Sequence, residues 1–202
     1  MKKRIIWIAL LAAAVLLCGS AAGEEVSAMR ELFQTTQSTA TPSPNAFRFR
    51  DGIRWGMNTQ QVKALETEKM TERTLQNWSI MLTDGKVAVS RFTADLVFMF
   101  REDRLLMISY EFRQTSKDDY PYLTGALGSI YGEKKDADPL KIKALMDTIN
   151  PNRYRTELIT EAYGWETMDG TAVYLYYYSQ EAFAIMYVSP ELGSRIYQTN
   201  GL

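Results

Sequence analysis

From Phe47 onward the chain switches between helical and strand-like spacing of its apolar residues, and the switches mark out its elements. Asn58 stands where a helix N-cap is wanted, and Gln61 three residues on can reach back to complete a capping box. Met57 before the cap and Val62 at the fourth helical position are placed to form a hydrophobic staple. Gly56 lets the chain turn tightly into this helix. The spacing predicts a short helix through about Glu68, with Val62, Leu65 and Met70 inward. A strand pattern from Trp78 to Leu82 then reaches Asp84-Gly85, a dipeptide favoured in hairpin turns. Lys86 to Phe100 resumes in extended style, with Leu96, Phe98 and Phe100 on one face. It is too long for one ordinary strand, so a bulge or bend is expected near Thr93-Ala94. Arg101 to Arg104 reads as a charged turn, and Leu105 to Arg113 as the returning strand.

A second set of elements follows. Ser116 and Asp119 have capping-box spacing, and Leu123, Leu127, Ile130 and Tyr131 share one helical face, with Gly132 as a C-terminal stop. Asp138-Pro139 opens another helix carrying Leu140, Ala144, Leu145 and Ile149, closed by Asn150-Pro151. Arg153 to Ile159 carries no clear period. Beyond it come Trp165, a second Asp-Gly turn at Asp169-Gly170, a strand from Ala172 to Ser179, a polar turn at Gln180-Glu181 and a strand from Ala182 to Ser189. Pro190 to Tyr197 predicts a last turn or two of helix. Each half thus runs helix, Trp-bearing strand, Asp-Gly turn, strand, polar turn, strand. The expected class is α+β, an antiparallel sheet with helices packed on one face. Residues 47–115 form a first α+β unit and 116–202 a second, either as tandem helix-plus-three-strand repeats or as one packed domain.

The N-terminal part has a different character. Lys2, Lys3 and Arg4 precede an apolar run from Ile5 to Leu17, too short to span a bilayer and the right length for a signal-peptide core. Ser20-Ala21-Ala22 supplies small residues for cleavage after Ala22 or Gly23. Residues 1–22 are therefore expected to be a signal peptide and 23–46 a flexible tether. Glu24 to Gln34 could make a short helix there, and Thr35 to Asn45 is polar and Pro-containing. Cys18 offers a second reading, a lipidated first residue, although Leu17 stands where a lipobox wants a small side chain. The expected location is extracytoplasmic, either secreted or in the cell envelope, with Cys18 as the lipid anchor if it is retained.

Composition narrows the chemistry. The chain has no histidine and its single cysteine is Cys18. Cys and His nucleophiles, thiolate or imidazole metal sites and disulfides are thereby excluded from the mature part. Signal cleavage removes three of the 23 basic side chains and none of the 24 acidic ones, leaving an acidic excess of four. With no basic stripe, nucleic acid is not an expected partner.

Carboxylates remain as possible acid–base groups. Glu157, Glu161, Glu166 and Asp169 cluster in sequence, and Asp95 and Glu111 fall on predicted strands, so a small carboxylate-based hydrolase is a third functional reading. Asp118-Asp119 and Asp136-x-Asp138 have the residue types for Ca²⁺ but not the spacing of an EF-hand, and capping already explains Asp119 and Asp138. No metal or cofactor is expected. The most suggestive run is Tyr174-Leu175-Tyr176-Tyr177-Tyr178. Alternation puts Tyr174, Tyr176 and Tyr178 on one strand face, where they could stack on a sugar or peptide, joined by Tyr163, Trp165 or Tyr187. The competing reading is an ordinary cross-strand aromatic ladder. Trp55 and Trp78 read as core anchors.

The stretch Gly56-Met57-Asn58-Thr59-Gln60-Gln61-Val62, followed by antiparallel strands, resembles the opening of the SmpA/OmlA-type outer-membrane assembly lipoproteins. In tandem form it is similar to the β-lactamase-inhibitor-protein fold. The resemblance covers about a dozen residues, and the Leu-Gly-x-Pro that usually ends that helix is replaced by Ala64-Leu65-Glu66. It implies helix-plus-three-strand units and a binding rather than catalytic habit. The sequence thus leads to an exported, non-enzymatic protein that meets a protein or peptide through a sheet surface, with a glycan bound by the Tyr-rich face as the alternative.

Overall fold

The computed structural model describes residues 49–149, 159–179 and 182–199. The signal segment, the tether, Cys18, Glu157 and the Gln180-Glu181 turn lie outside the described residues.

The first helix forms where its cap is written. In α1 (Thr59–Leu65) the Asn58 side chain accepts from the Gln61 backbone N–H at 2.9 Å, and Gln61 Oε1 accepts from the Asn58 N–H at 3.0 Å. The helix stops earlier than its apolar spacing predicts. The Glu66 carboxylate turns back to take the N–H groups of Thr67 and Glu68, and it pairs with Arg50 at 3.2 Å. Val62 is buried, whereas Leu65 is left at the surface. Met70 opens a strand, β1 (Met70–Leu75), that has no alternating pattern to announce it because its four central residues are all exposed.

The remaining strands are β2 (Trp78–Thr83), β3 (Val87–Val89), β4 (Phe92–Arg101), β5 (Arg104–Arg113), β6 (Lys135–Asp136), β7 (Glu161–Glu166), β8 (Ala172–Ser179) and β9 (Ala182–Val188). Three further helices are α2 (Tyr120–Tyr131), α3 (Pro139–Ile149) and α4 (Pro190–Thr199). Among the described residues all nine strands join one antiparallel sheet, in the order β1-β2-β4-β5-β9-β8-β7-β6, with β3 also on β4. The α+β class and the antiparallel sheet are those the sequence predicts. The two halves meet through the last strand of each, β5 against β9, with Tyr110 opposite Ile185.

Asp84-Gly85 does not make the expected hairpin. Leu82 faces Val97 and Val87 faces Ala94, so β2 and β3 run along the same side of β4 with two extra residues looped out between them. Two contacts hold the chain in line: the Asp84 N–H bonds the Lys69 carbonyl, and its side chain accepts from Thr71. The chain reverses instead at Gln76, Ser90 and Glu102-Asp103, all with positive φ. The register slip in β4 falls between Met99 and Phe100, not near Thr93-Ala94.

Helices cover both faces of the sheet rather than one. On the first face, Phe49, Ile53, Val62 and the α2 residues Leu123 and Leu127 pack on Leu96, Phe98, Tyr110, Phe112, Leu175, Phe183 and Tyr187. On the second, Ile142, Leu145, Met146 and Ile149 of α3 and Leu192 of α4 pack with Trp78 on Val97, Met99, Met107, Tyr176 and Met186. The reason lies in β9, whose seven residues are all buried. A strand apolar at consecutive positions needs cover on both sides.

Candidate functional site

Alternation along β8 does place Tyr174, Tyr176 and Tyr178 on one face, the second, but they do not form an open platform. Tyr176 is buried under α3, its hydroxyl directed at Met146 Sδ 3.8 Å away. Tyr178 packs beside it, ring centroids 5.9 Å apart. Tyr174 lies across from Gly164 on β7, its ring packed over that position. Tyr163 and Trp165 sit opposite Leu175 and Val173, which puts them on the first face. Tyr163 stacks on Tyr120, with Lys134 Nζ 3.5 Å above its ring. The Trp165 indole donates to the Gly132 carbonyl at 3.0 Å. The aromatic candidates are therefore divided between the two faces of the sheet.

What the second face does offer is a cleft of about 620 Å³. Its floor comprises Gly164, Ala172, Tyr174 and Val188 of the sheet; its walls are α3, through Lys141 and Leu145, and α4, through Pro190, Gly193 and Ser194. Lys135, Asp136, Asp138 and Glu166 complete the lining. Both wall helices are capped at this end: Asp138 accepts from the Leu140 N–H at 2.9 Å, and Ser189 Oγ accepts from the Leu192 N–H at 3.2 Å. The small residues of α4 leave the cleft wide, and Tyr174 is the sequence-nominated ring that reaches its floor.

Two apolar residues flank this region: Met168, which the sequence pattern does not single out, and Leu140, which it counts on the apolar face of its helix but which is exposed. Met168 is 85% exposed and Leu140 65% exposed, by a wide margin the most exposed large apolar side chains among the described residues. Each is within two residues of the cleft lining: Leu140 beside Lys141, Met168 between Glu166 and Gly170. The loop carrying Met168 is rigidly built. Thr167 Oγ1 donates to Asp169, the Thr171 hydroxyl donates to Asp169 Oδ2 at 3.2 Å, and Thr167 N–H bonds the Thr171 carbonyl at 2.9 Å. Gly170 takes the positive φ that closes the turn. An apolar residue at the tip of a polar turn was the available sequence signal.

The carboxylates singled out from sequence are mostly committed to neighbours. Asp95 pairs with Lys86 at 2.6 Å and Arg113 at 3.4 Å, and Arg113 also reaches Glu111 at 3.5 Å. Glu161 accepts from the Tyr163 hydroxyl at 2.8 Å, and Asp119 caps the turn at Ser116 while pairing with Arg91. Glu166 is exposed at the cleft. Among the described residues, no group of three or more acidic side chains is gathered as a metal site, and no helix is long and apolar enough to cross a membrane. Comparison with family models, with curated proteins and with solved structures gave no match to this chain.

Proposed function

We propose that this protein acts outside the cytoplasm as a non-catalytic binding module that takes a protein or peptide partner on the sheet floor between α3 and α4. The observation that carries the reading is the pairing of an apolar-floored cleft with Met168, held out in solvent on a rigid loop beside it. Large apolar side chains presented without cover, next to a concave apolar surface rimmed by charges, are the usual composition of a protein-docking site. The basic residues Lys2 to Arg4 with the short apolar run after them support export. The likeness of Gly56–Val62 to the small envelope lipoproteins supports a binding role.

A photo-crosslinking residue at Ser194, on the cleft wall, tests this directly in the producing cell. The expected result is a crosslinked protein product that is lost in a Tyr174→Ala or Met168→Asp background. Absence of any protein adduct, with retention on immobilised polysaccharide that depends on Tyr174, would transfer the site to the glycan reading. Tyr174 favours that second reading as well, since it gives the floor one aromatic ring on which a sugar can stack.

A further inference from the structure

The cleft and its surroundings form a surface that is complementary to itself, and we propose that its occupant is a second copy of this chain, bound about a two-fold axis. The inference rests on the cleft being a protein-docking surface and names the partner. The hole is the cleft floored by Ala172, Tyr174 and Val188, and the knob is Met168, exposed on the hydrogen-bonded loop whose flanking residues Glu166 and Gly170 line that cleft. In an isologous interface, whatever residue i of one copy touches, the same residue of the other copy touches in return. Met168 of each copy can therefore enter the cleft of the other, and two apolar side chains leave water in one event.

The charges around the cleft point the same way. Lys135 and Lys141 share the lining with Asp136, Asp138 and Glu166, so both signs are present on a single patch. Such a rim pairs with its own two-fold image, lysine toward carboxylate, whereas a rim of one sign would repel it. After signal cleavage the chain carries an acidic excess of only four, and such a field is screened within about 10 Å at physiological salt, so it does not keep copies apart. Because the loop 167–171 is fixed by its own hydrogen bonds, little ordering is lost when Met168 docks.

Sedimentation velocity of the full chain over a wide concentration range reads this out. The expected result is a reversible monomer–dimer equilibrium that stops at two. Met168→Asp places a charge in the desolvated centre twice over, and should weaken association by at least about a hundredfold. That side chain is solvent-exposed, so circular dichroism should be unchanged; Ser194→Trp, which fills the cleft from its wall, is a second variant with the same expected loss. In a Cys18→Ser background, mixing Met168→Cys with Ser194→Cys protein should give disulfide-linked heterodimers. A monomer at every concentration, a dimer indifferent to both variants, or growth beyond two copies overturns the proposal. If the chain is monomeric while the Ser194 photo-crosslinker captures a different protein, the second-copy assignment fails and the docking reading stands. If neither association nor capture occurs, both fail.

Discussion

The indole N–H of Trp55 donates to the hydroxyl of Thr171 at 2.8 Å, across 116 positions of sequence. Trp55 lies just ahead of the α1 cap, and Thr171 ends the loop that carries Met168, so this bond ties the entrance of the first half to the second half's hairpin. Trp55→Phe keeps the packing and deletes the donor. We expect a loss of about 1 kcal/mol of unfolding free energy in urea, the ordinary net worth of such a bond. We also expect a looser 167–171 loop, seen as faster amide exchange at Gly170 and Thr171. Unchanged exchange at those amides would show that the loop holds itself.

The α1 cap should be measurable on its own. Asn58→Ala removes the acceptor for the Gln61 N–H and leaves only the reciprocal bond, from the Asn58 N–H to the Gln61 side chain. The expected cost is about 1 kcal/mol, with Asn58→Ser losing much less. Equal losses from the two substitutions would mean that α1 is held only by Val62 and the sheet beneath it.

Stability should fall steeply in alkali. Burial pushes the hydroxyls of Tyr110, Tyr120 and Tyr187 far above the usual tyrosine range, and that of Tyr131 to about 12. Unfolded tyrosines ionise near pH 10. Below that, both states keep the protons and stability is level. Above it the unfolded chain releases protons that the folded chain retains, so stability drops as pH rises from 10 toward 12. Each such tyrosine contributes up to about 1.4 kcal/mol per pH unit. Urea midpoints at pH 9, 10.5 and 11.5 measure the slope, and the absorbance rise of phenolate should lag in the folded protein. A flat midpoint across this range would mean that these hydroxyls ionise without unfolding.

Two glycines of the same hairpin should respond in opposite directions. A Cβ on Gly164 would meet the Tyr174 ring at 3.5 Å, an ordinary contact, and the backbone there is extended. Gly164→Ala is expected to be neutral or stabilising by about 0.5 kcal/mol. Gly170 has φ +79, where an L side chain is strained, so Gly170→Ala should cost about 1 kcal/mol or more. Thermal melts of the pair settle the comparison, and a shared sign would contradict the geometry.

Local signals were legible where the physics is local. The Asn58 box, the Ser116–Asp119 box, the Gly132 stop and the Asp138-Pro139 start all form as spelled. Readings failed where a distant partner decides. Asp84-Gly85 has hairpin chemistry, yet β4 holds both flanking strands in line. The spacing of Tyr163 and Trp165 fits the face of Tyr174, yet the β7–β8 register sends them to the other face. The two-sided cover of the sheet was written in the unbroken apolar run of β9, which a one-faced reading passes over. For the site, Tyr174 was within reach of the pattern; the cleft was not, because α3 and α4 wall it from positions some 50 residues apart.

β9 is the last strand among the described residues, yet it lies at the middle of the sheet, between β5 and β8. Until residues 182–188 have left the ribosome, β5 and β8 each present a bare edge, and the surfaces meant for Phe183, Ile185 and Tyr187 are open. The sheet is then in two pieces, and the β5–β9 pairing that joins them spans a long stretch of chain, which makes it late and slow. The sheet therefore cannot close before β9 has paired with both neighbours. Loss of this one strand would open two edges at once and part the sheet into separate halves.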